Sequence, residues 1–235
     1  CYASLYTDRA IKYREDNGFQ HEKVSLSVGI QKMVRSDKSA AGVAFTLEPE
    51  SGFRDVVLIS GVWGLGENIV QGTVTPDEFY LFKPTLMAGK GAIIQKKLGE
   101  KARTMIYQPI DDQLVTTTNI ITPLEKQSRF VLSDEIIQLG KWCVLIEEHY
   151  QKPMDIEWAK DGITNEIFIV QARPETVHSL KNPYHIKEYK LLEKGNCLTK
   201  GNAVGSKIIH GRARVLASPD DAAQLQAGDI IVTDI

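Results

Sequence analysis

Two acids, an amide and a guanidinium interrupt an otherwise apolar stretch, MDIEWAKDGITNEIFIVQARPET, between Met154 and Thr176. Asp155 and Glu157 fall in its first half and Gln171 and Arg173 in its second, with the turn signals Asp161-Gly162 to Asn165 between them. Side chains alternate across a strand, so Asp155 and Glu157 share one face while Met154, Ile156 and Trp158 share the other. The same alternation puts Gln171 and Arg173 on one face, with Ile169 beside them. An antiparallel hairpin whose register is set by the turn would bring Asp155 against Arg173 and Glu157 against Gln171. A slip of one residue without a bulge would part them. A carboxylate next to an amide oxygen is a hard-oxygen platform of the kind Mg²⁺ uses together with phosphates and water. Arg173 would then hold phosphate oxygens and offset charge as a phosphoryl group moves. The same four residues also read as a solvated sheet face with a cross-strand ion pair, worth little when exposed. Spacing alone leaves both readings open.

The elements that must position this hairpin come from periodicity. Residues 1–18 read as a helix with no preceding N-cap, stopped by Asn17-Gly18. VSLSVGIQKMV, from Val24 to Val34, alternates as a strand, and SAAGVAFTLEP reads as a second one ended by Pro49. Val56 to Ile59 begin a buried strand that runs into the glycine-spaced loop GVWGLGENIVQG. That loop fits neither GxGxxG nor a lysine-bearing phosphate loop. A helix start after Glu67 would offer amides to an anion, against the plainer reading of a turn. DEFYLF and AIIQKKL read as strands, and Lys96-Lys97, Lys101 and Arg103 as a solvated turn. The strongest helix follows Ser133, its expected N-cap, with Ile136, Leu139, Trp142, Cys143 and Ile146 on one face. After Pro174 a charged, proline-broken segment reads as a linker, with Asp220-Asp221 further on as a helix start after Pro219. From about Cys197 short strands and glycine turns suggest a second, β-rich domain.

Composition narrows the class. The 235 residues are 43% hydrophobic and 25% charged, enough to bury a sizeable core. A formal charge of −2 argues against a nucleic-acid partner. No apolar run reaches the roughly 18 residues that would span a bilayer, so no membrane partner is expected, and no leader is read at the start. Three scattered cysteines (Cys1, Cys143, Cys197) suit reduced thiols and a cytoplasmic setting. The five histidines (His21, His149, His178, His185, His210) lack metal-ligand spacing. Both ends read as cut, the first inside a helical pattern and the last on the strand-like GDIIVTDI.

At this point the residues resemble a family. MDIEWA…FIVQARPET resembles the end of the ATP-grasp nucleotide-binding domain of phosphoenolpyruvate synthases and pyruvate phosphate dikinases. CYASLYTDRAIKYRE, VGIQKMVRSDKSAAGVAFTLEPESG, GVWGLGENIVQGTVTPDEF and VGSKIIHGRARV are similar to the synthase branch, in its order. The resemblance implies an α+β, partly ATP-grasp-like fold over residues 1–178, a linker over 179–196, and the first strands of a phosphohistidine swivelling domain over 197–235. It implies ATP and Mg²⁺ as cofactors, with Glu157 and Gln171 as metal ligands, Arg173 on the ATP phosphates and Asp155 supporting that cluster. Gln31 and Met33 would lie near the adenine and Glu67 near the nucleotide. Ala41 stands where relatives often carry a small hydroxyl residue, which would remove one polar contact.

The full enzyme so implied converts ATP, pyruvate and water to AMP, phosphoenolpyruvate and phosphate through a phosphohistidine. A glycine-rich loop, a lysine and an arginine would precede this stretch, and the phosphorylated histidine would follow Ile235, so His210 is not expected to be it. Pyruvate would bind a separate barrel, and the piece alone is expected to be inactive. A related phosphotransferase acting on a drug or a glucan, or a non-enzymatic nucleotide-binding module, are the competing readings.

Overall fold

The computed structural model describes residues 1–110, 115–175, 190, 192–193, 195–196, 208–216 and 225–232. Its centre is a six-stranded antiparallel sheet in the order β4-β3-β2-β1-β7-β8. The strands are β1 (Ala40–Phe45), β2 (Val56–Trp63), β3 (Asp77–Phe82), β4 (Ile93–Lys97), β7 (Met154–Lys160) and β8 (Ile167–Pro174). β2 is apolar on both faces and lies inside the sheet, as such a run requires. It extends to Trp63, four residues past the expected strand, so the glycine-spaced loop begins only at Gly64. β1 is built of small residues because its neighbours crowd it: a Cβ on Gly42 would come within 1.9 Å of the Ser60 carbonyl oxygen.

One face of the sheet carries the core. Ala40, Ala44, Val57, Ile59, Phe79, Leu81, Met154, Ile156 and Trp158 pack there against α5 (Glu135–Tyr150), which presents Ile136, Leu139 and Cys143. Burial pushes the Cys143 thiol up to about 12, so it behaves as an apolar filler. Thr46 fastens the layers together: its hydroxyl accepts from the Met154 N–H and donates to Glu147 of α5. Lys83 completes that knot by donating to Glu147 and to the Thr46 carbonyl.

Three short helices, α2 (Glu67–Val70), α3 (Lys83–Met87) and α4 (Leu124–Gln127), join these elements, and α1 (Asp8–Asp16) stands at the start. The first segment is not one helix. A 3₁₀ turn over Tyr2–Tyr6 gives way at Thr7, whose hydroxyl accepts from the Ala10 N–H and caps α1. Val24 to Val34 form no strand, because among the described residues nothing pairs with them, and alternation without a partner makes no ladder. Ser133 does not cap α5; its N–H and hydroxyl both donate to Glu135.

The expected solvated turn is the clearest correction. Lys97 lies in β4 and pairs with Glu78, while Lys101 is fully buried, as is its partner Asp77. Lys101 donates its three protons to Asp77, the Gly99 carbonyl and the Gln127 carbonyl. Asp77 also accepts from the N–H groups of Gly99 and Val131. This knot anchors an unforeseen hairpin, β5 (Arg103–Pro109) with β6 (Val115–Ile121). β5 also meets the end of β2 at Gly64, which has φ +83° and where a Cβ would fall 2.2 Å from the Met105 carbonyl oxygen. Separately, β9 (Arg212–Val215) and β10 (Asp229–Val232) form a two-stranded parallel pair. Most of the expected linker, along with Cys197, His178, His185 and Asp220-Asp221, lies outside the described residues.

Candidate functional site

The second face of the sheet holds the polar quartet. β7 and β8 pair with Asp155 opposite Arg173 and Glu157 opposite Gln171, the register the sequence predicts. That register does not run unbroken from the turn. Trp158 pairs with Ile169, so Val170 is an extra residue on β8 just beyond Gln171. The bulge turns Ile169 onto the core face, against the expectation that it sits beside Gln171 and Arg173. Without it the quartet would be split across the sheet.

The turn is fixed by Asp161. Its Oδ1 accepts from the Ile163 and Thr164 N–H groups, and its Oδ2 accepts from the Arg35 N–H at 3.1 Å. The hydrogen bonds from the Arg35 and Ile163 backbone hold the Asp161 carboxyl below its usual value. In return the Gly162 N–H donates to the Arg35 carbonyl at 3.0 Å. The hairpin turn thus holds the end of the extended segment Gln31–Val34 over the second face of the sheet.

A cleft of about 560 Å³ opens there. Gln31, Met33, Glu67 and Glu157 all line it, together with Ala41, Gly42 and Tyr107. Four of the seven predicted site residues therefore meet in one cleft, from three separate parts of the chain. Gln171 faces Glu157 across the strand pair, and Asp155 and Arg173 lie one pair further along the same face, outside the cleft lining. Glu67 opens α2, a single helical turn and too short to act as an anion site, and its carboxylate accepts from Gln71 at 2.8 Å. A second groove of about 530 Å³, lined by Ala10, Tyr13, Arg14 and Phe19, carries no carboxylate and shares no residue with the hairpin.

The hydrogen bonding of the quartet is uneven. Arg173 Nε donates to Asp155 Oδ2 at 2.8 Å and Nη2 lies 2.7 Å from the same oxygen, so the second carboxylate oxygen is left out of the pair. The Arg173 side chain is 62% exposed and that of Asp155 only 14%, so the pair joins an exposed guanidinium to a mostly buried carboxylate. Among the described residues, no protein group hydrogen-bonds the side chains of Glu157 or Gln171. A half-buried carboxylate and an amide oxygen thus stand side by side with unused lone pairs. No group of three His, Cys, Asp or Glu occurs among the described residues, so a dedicated all-protein cage is not what this site offers. Two oxygen donors with room for water and phosphate fit Mg²⁺ instead.

Tyr107 is the cleft residue that the sequence reading missed. It lies on β5, a strand preceded by the buried turn at Lys101, and its hydroxyl donates to Met33 Sδ across the cleft at 3.1 Å. The β-branched run VTTTNII, which forms β6, is the signal that marks this hairpin.

No helix among the described residues is long and apolar enough to cross a membrane. The chain is 58% identical to a phosphoenolpyruvate synthase of Aquifex aeolicus, over 100% of this chain and 28% of that protein. It is 47% identical to a phosphoenolpyruvate synthase of Synechocystis sp. and 45% identical to one of Escherichia coli, each match covering 100% of this chain and 29% of the relative. The chain thus spans less than a third of the length of these curated relatives. A family model described as the pyruvate phosphate dikinase AMP/ATP-binding domain matches residues 1–193, which hold the whole sheet, the hairpin and the cleft. By that match the chain belongs to the pyruvate phosphate dikinase AMP/ATP-binding domain family.

Proposed function

We propose that this chain supplies the ATP- and Mg²⁺-binding part of a phosphoenolpyruvate synthase. The carrying observation is the Glu157–Gln171 pair, two oxygen donors with no protein partner among the described residues, beside a cleft roomy enough for a nucleotide. Relatives named phosphoenolpyruvate synthase and the AMP/ATP-binding family support the same reading. In this account residues 1–178 are the later part of an ATP-grasp domain, 179–196 a linker and 197–235 the start of a swivelling phosphohistidine domain. The whole protein, cytoplasmic in this account, would convert ATP, pyruvate and water to AMP, phosphoenolpyruvate and phosphate, with pyruvate bound on a domain outside this chain.

Each residue has a stated task. Gln31 and Met33 flank the base, and Glu67 approaches the nucleotide from α2. Glu157 and Gln171 would hold Mg²⁺, which when bound offsets phosphate charge. Arg173 leaves Asp155 to meet phosphate oxygens, and Asp155 keeps it in reach until then.

Calorimetric titration tests the site. MgATP should bind the chain, and Glu157→Ala should weaken it about 10- to 100-fold, the loss expected for a charged contact. With chelator present the two proteins should bind ATP alike. Equal MgATP affinity in both would remove Glu157 from the site. The isolated chain should make no phosphoenolpyruvate from ATP and pyruvate, and detecting that product would overturn the reading of it as one part of the enzyme.

A further inference from the structure

We propose that the groove over α1 docks a protein segment that carries a carboxylate among apolar side chains, with the carboxylate paired to Arg14. The inference is independent of the nucleotide reading, since this groove and the cleft share no residue. Arg14, Asp77 and Lys101 are all buried, and the last two pair with each other. Arg14 has no carboxylate partner among the described residues. Its Nε donates to His21 Nδ1 at 2.9 Å and its Nη2 to the Leu5 carbonyl at 2.7 Å. An accepting imidazole nitrogen and a carbonyl bring no negative charge, and they take only two of the five N–H groups of a guanidinium. Both protons of Nη1 and one of Nη2 are left over, the fork that a carboxylate takes bidentately.

No acid among the described residues supplies the missing charge. Asp8, Glu15 and Asp16 share α1 with Arg14 and Glu22 follows His21, yet none forms an ion pair with it; Asp16 pairs with Lys12 instead. Arg9, exposed on the same groove, is also without a carboxylate among the described residues. Most of the remaining lining is apolar or aromatic: Ala10, Val24, and the rings of Tyr13 and Phe19, 6.4 Å apart and each more than half exposed. A charge as buried as Arg14 is unfavourable without a counter-ion. The missing acid is therefore a standing neighbour, not a ligand that comes and goes, and a standing neighbour on an open apolar groove is another stretch of protein. The chain spans less than a third of its relatives, which leaves ample sequence to supply one.

NMR titration of the chain with two synthetic peptides, acetyl-Leu-Glu-Leu-amide and its glutamine counterpart, tests this. The glutamate peptide should bind about 10- to 100-fold more tightly, the difference expected for a charged contact otherwise unmet. It should also shift the ring resonances of Tyr13 and Phe19. Arg14→Met should bind both peptides alike, at the level of the glutamine one, and an undiminished preference for glutamate in that variant overturns the proposal. Equal affinity of the unmodified chain for the two peptides overturns it whether or not Arg14→Met folds. So does a response confined to the cleft residues, or no response to either peptide. Sodium acetate bound as tightly as the glutamate peptide also overturns it, because the groove would then be a site for any free carboxylate.

Discussion

Two places in this molecule set acids against a cation, and they are built to opposite ends. At Asp77 and Lys101 both side chains are fully buried and the hydrogen-bonding capacity of the lysine is used. At the β7–β8 hairpin the arginine is largely exposed, one oxygen of Asp155 stands outside the pair, and Glu157 and Gln171 have no protein partner among the described residues. A buried charge must be satisfied by the fold itself, since water cannot do it. A charge kept for a ligand must be left unsatisfied, and only a half-exposed position makes that tolerable. The difference separates a structural clamp from a binding face more sharply than residue type does.

The largest effect should come from breaking the clamp. Asp77→Ala leaves a buried ammonium without its counter-ion and strands the Gly99 and Val131 N–H groups. The expected loss is about 3–5 kcal/mol in urea denaturation. Lys101→Met should cost a similar amount, and the double variant less than the two added together. Additive losses would mean that the pair does not act as a unit.

The hairpin should respond in the opposite way. Glu157→Ala is predicted to change unfolding free energy by no more than about 0.5 kcal/mol while it weakens MgATP. A loss of stability comparable to that of Asp77→Ala would erase the distinction between the two regions. Arg173→Ala leaves the Asp155 carboxylate, 14% exposed, without its cation and should cost about 1–3 kcal/mol in the same urea measurement, less than Asp77→Ala and more than Glu157→Ala.

What was legible in the sequence follows the same division. The pairing of Asp155 with Arg173 and of Glu157 with Gln171 could be read from the alternation within each strand, although a register carried straight from the turn misses it by one residue. The bulge at Val170 could not, since nothing in IFIVQARP marks where a strand takes an extra residue. The misplacement of Ile169 follows from that alone. Lys101 reads as solvated because a lysine among charges usually is; its burial depends on carbonyls of Gly99 and Gln127 and on Asp77, 24 residues earlier. Tyr107 was missed for a related reason. Its place over Met33 depends on how β5 docks on the end of β2, a contact with no local signature. Val24–Val34 shows the converse, a strand pattern without a pairing partner among the described residues.

A third ion pair lies between the two extremes and is read through its pH dependence. Lys160 of β7 meets Glu135 of α5 with both side chains mostly buried. Partial burial raises the Glu135 carboxyl, but hydrogen bonds from Lys160 and from the Ser133 and Glu135 backbone outweigh it, and the group settles at about 2 instead of 4.5. Below its unfolded value the unfolded chain takes up a proton that the native one refuses. The stabilisation is therefore complete above about pH 4.5 and lost as pH falls toward 2. Glu135→Gln removes that linkage, so its stability should fall less steeply with acid over this window than that of the unmodified chain. Urea midpoints taken across the window test this, and parallel slopes for the two proteins would show that the Lys160–Glu135 pair behaves like the exposed hairpin instead of the buried clamp.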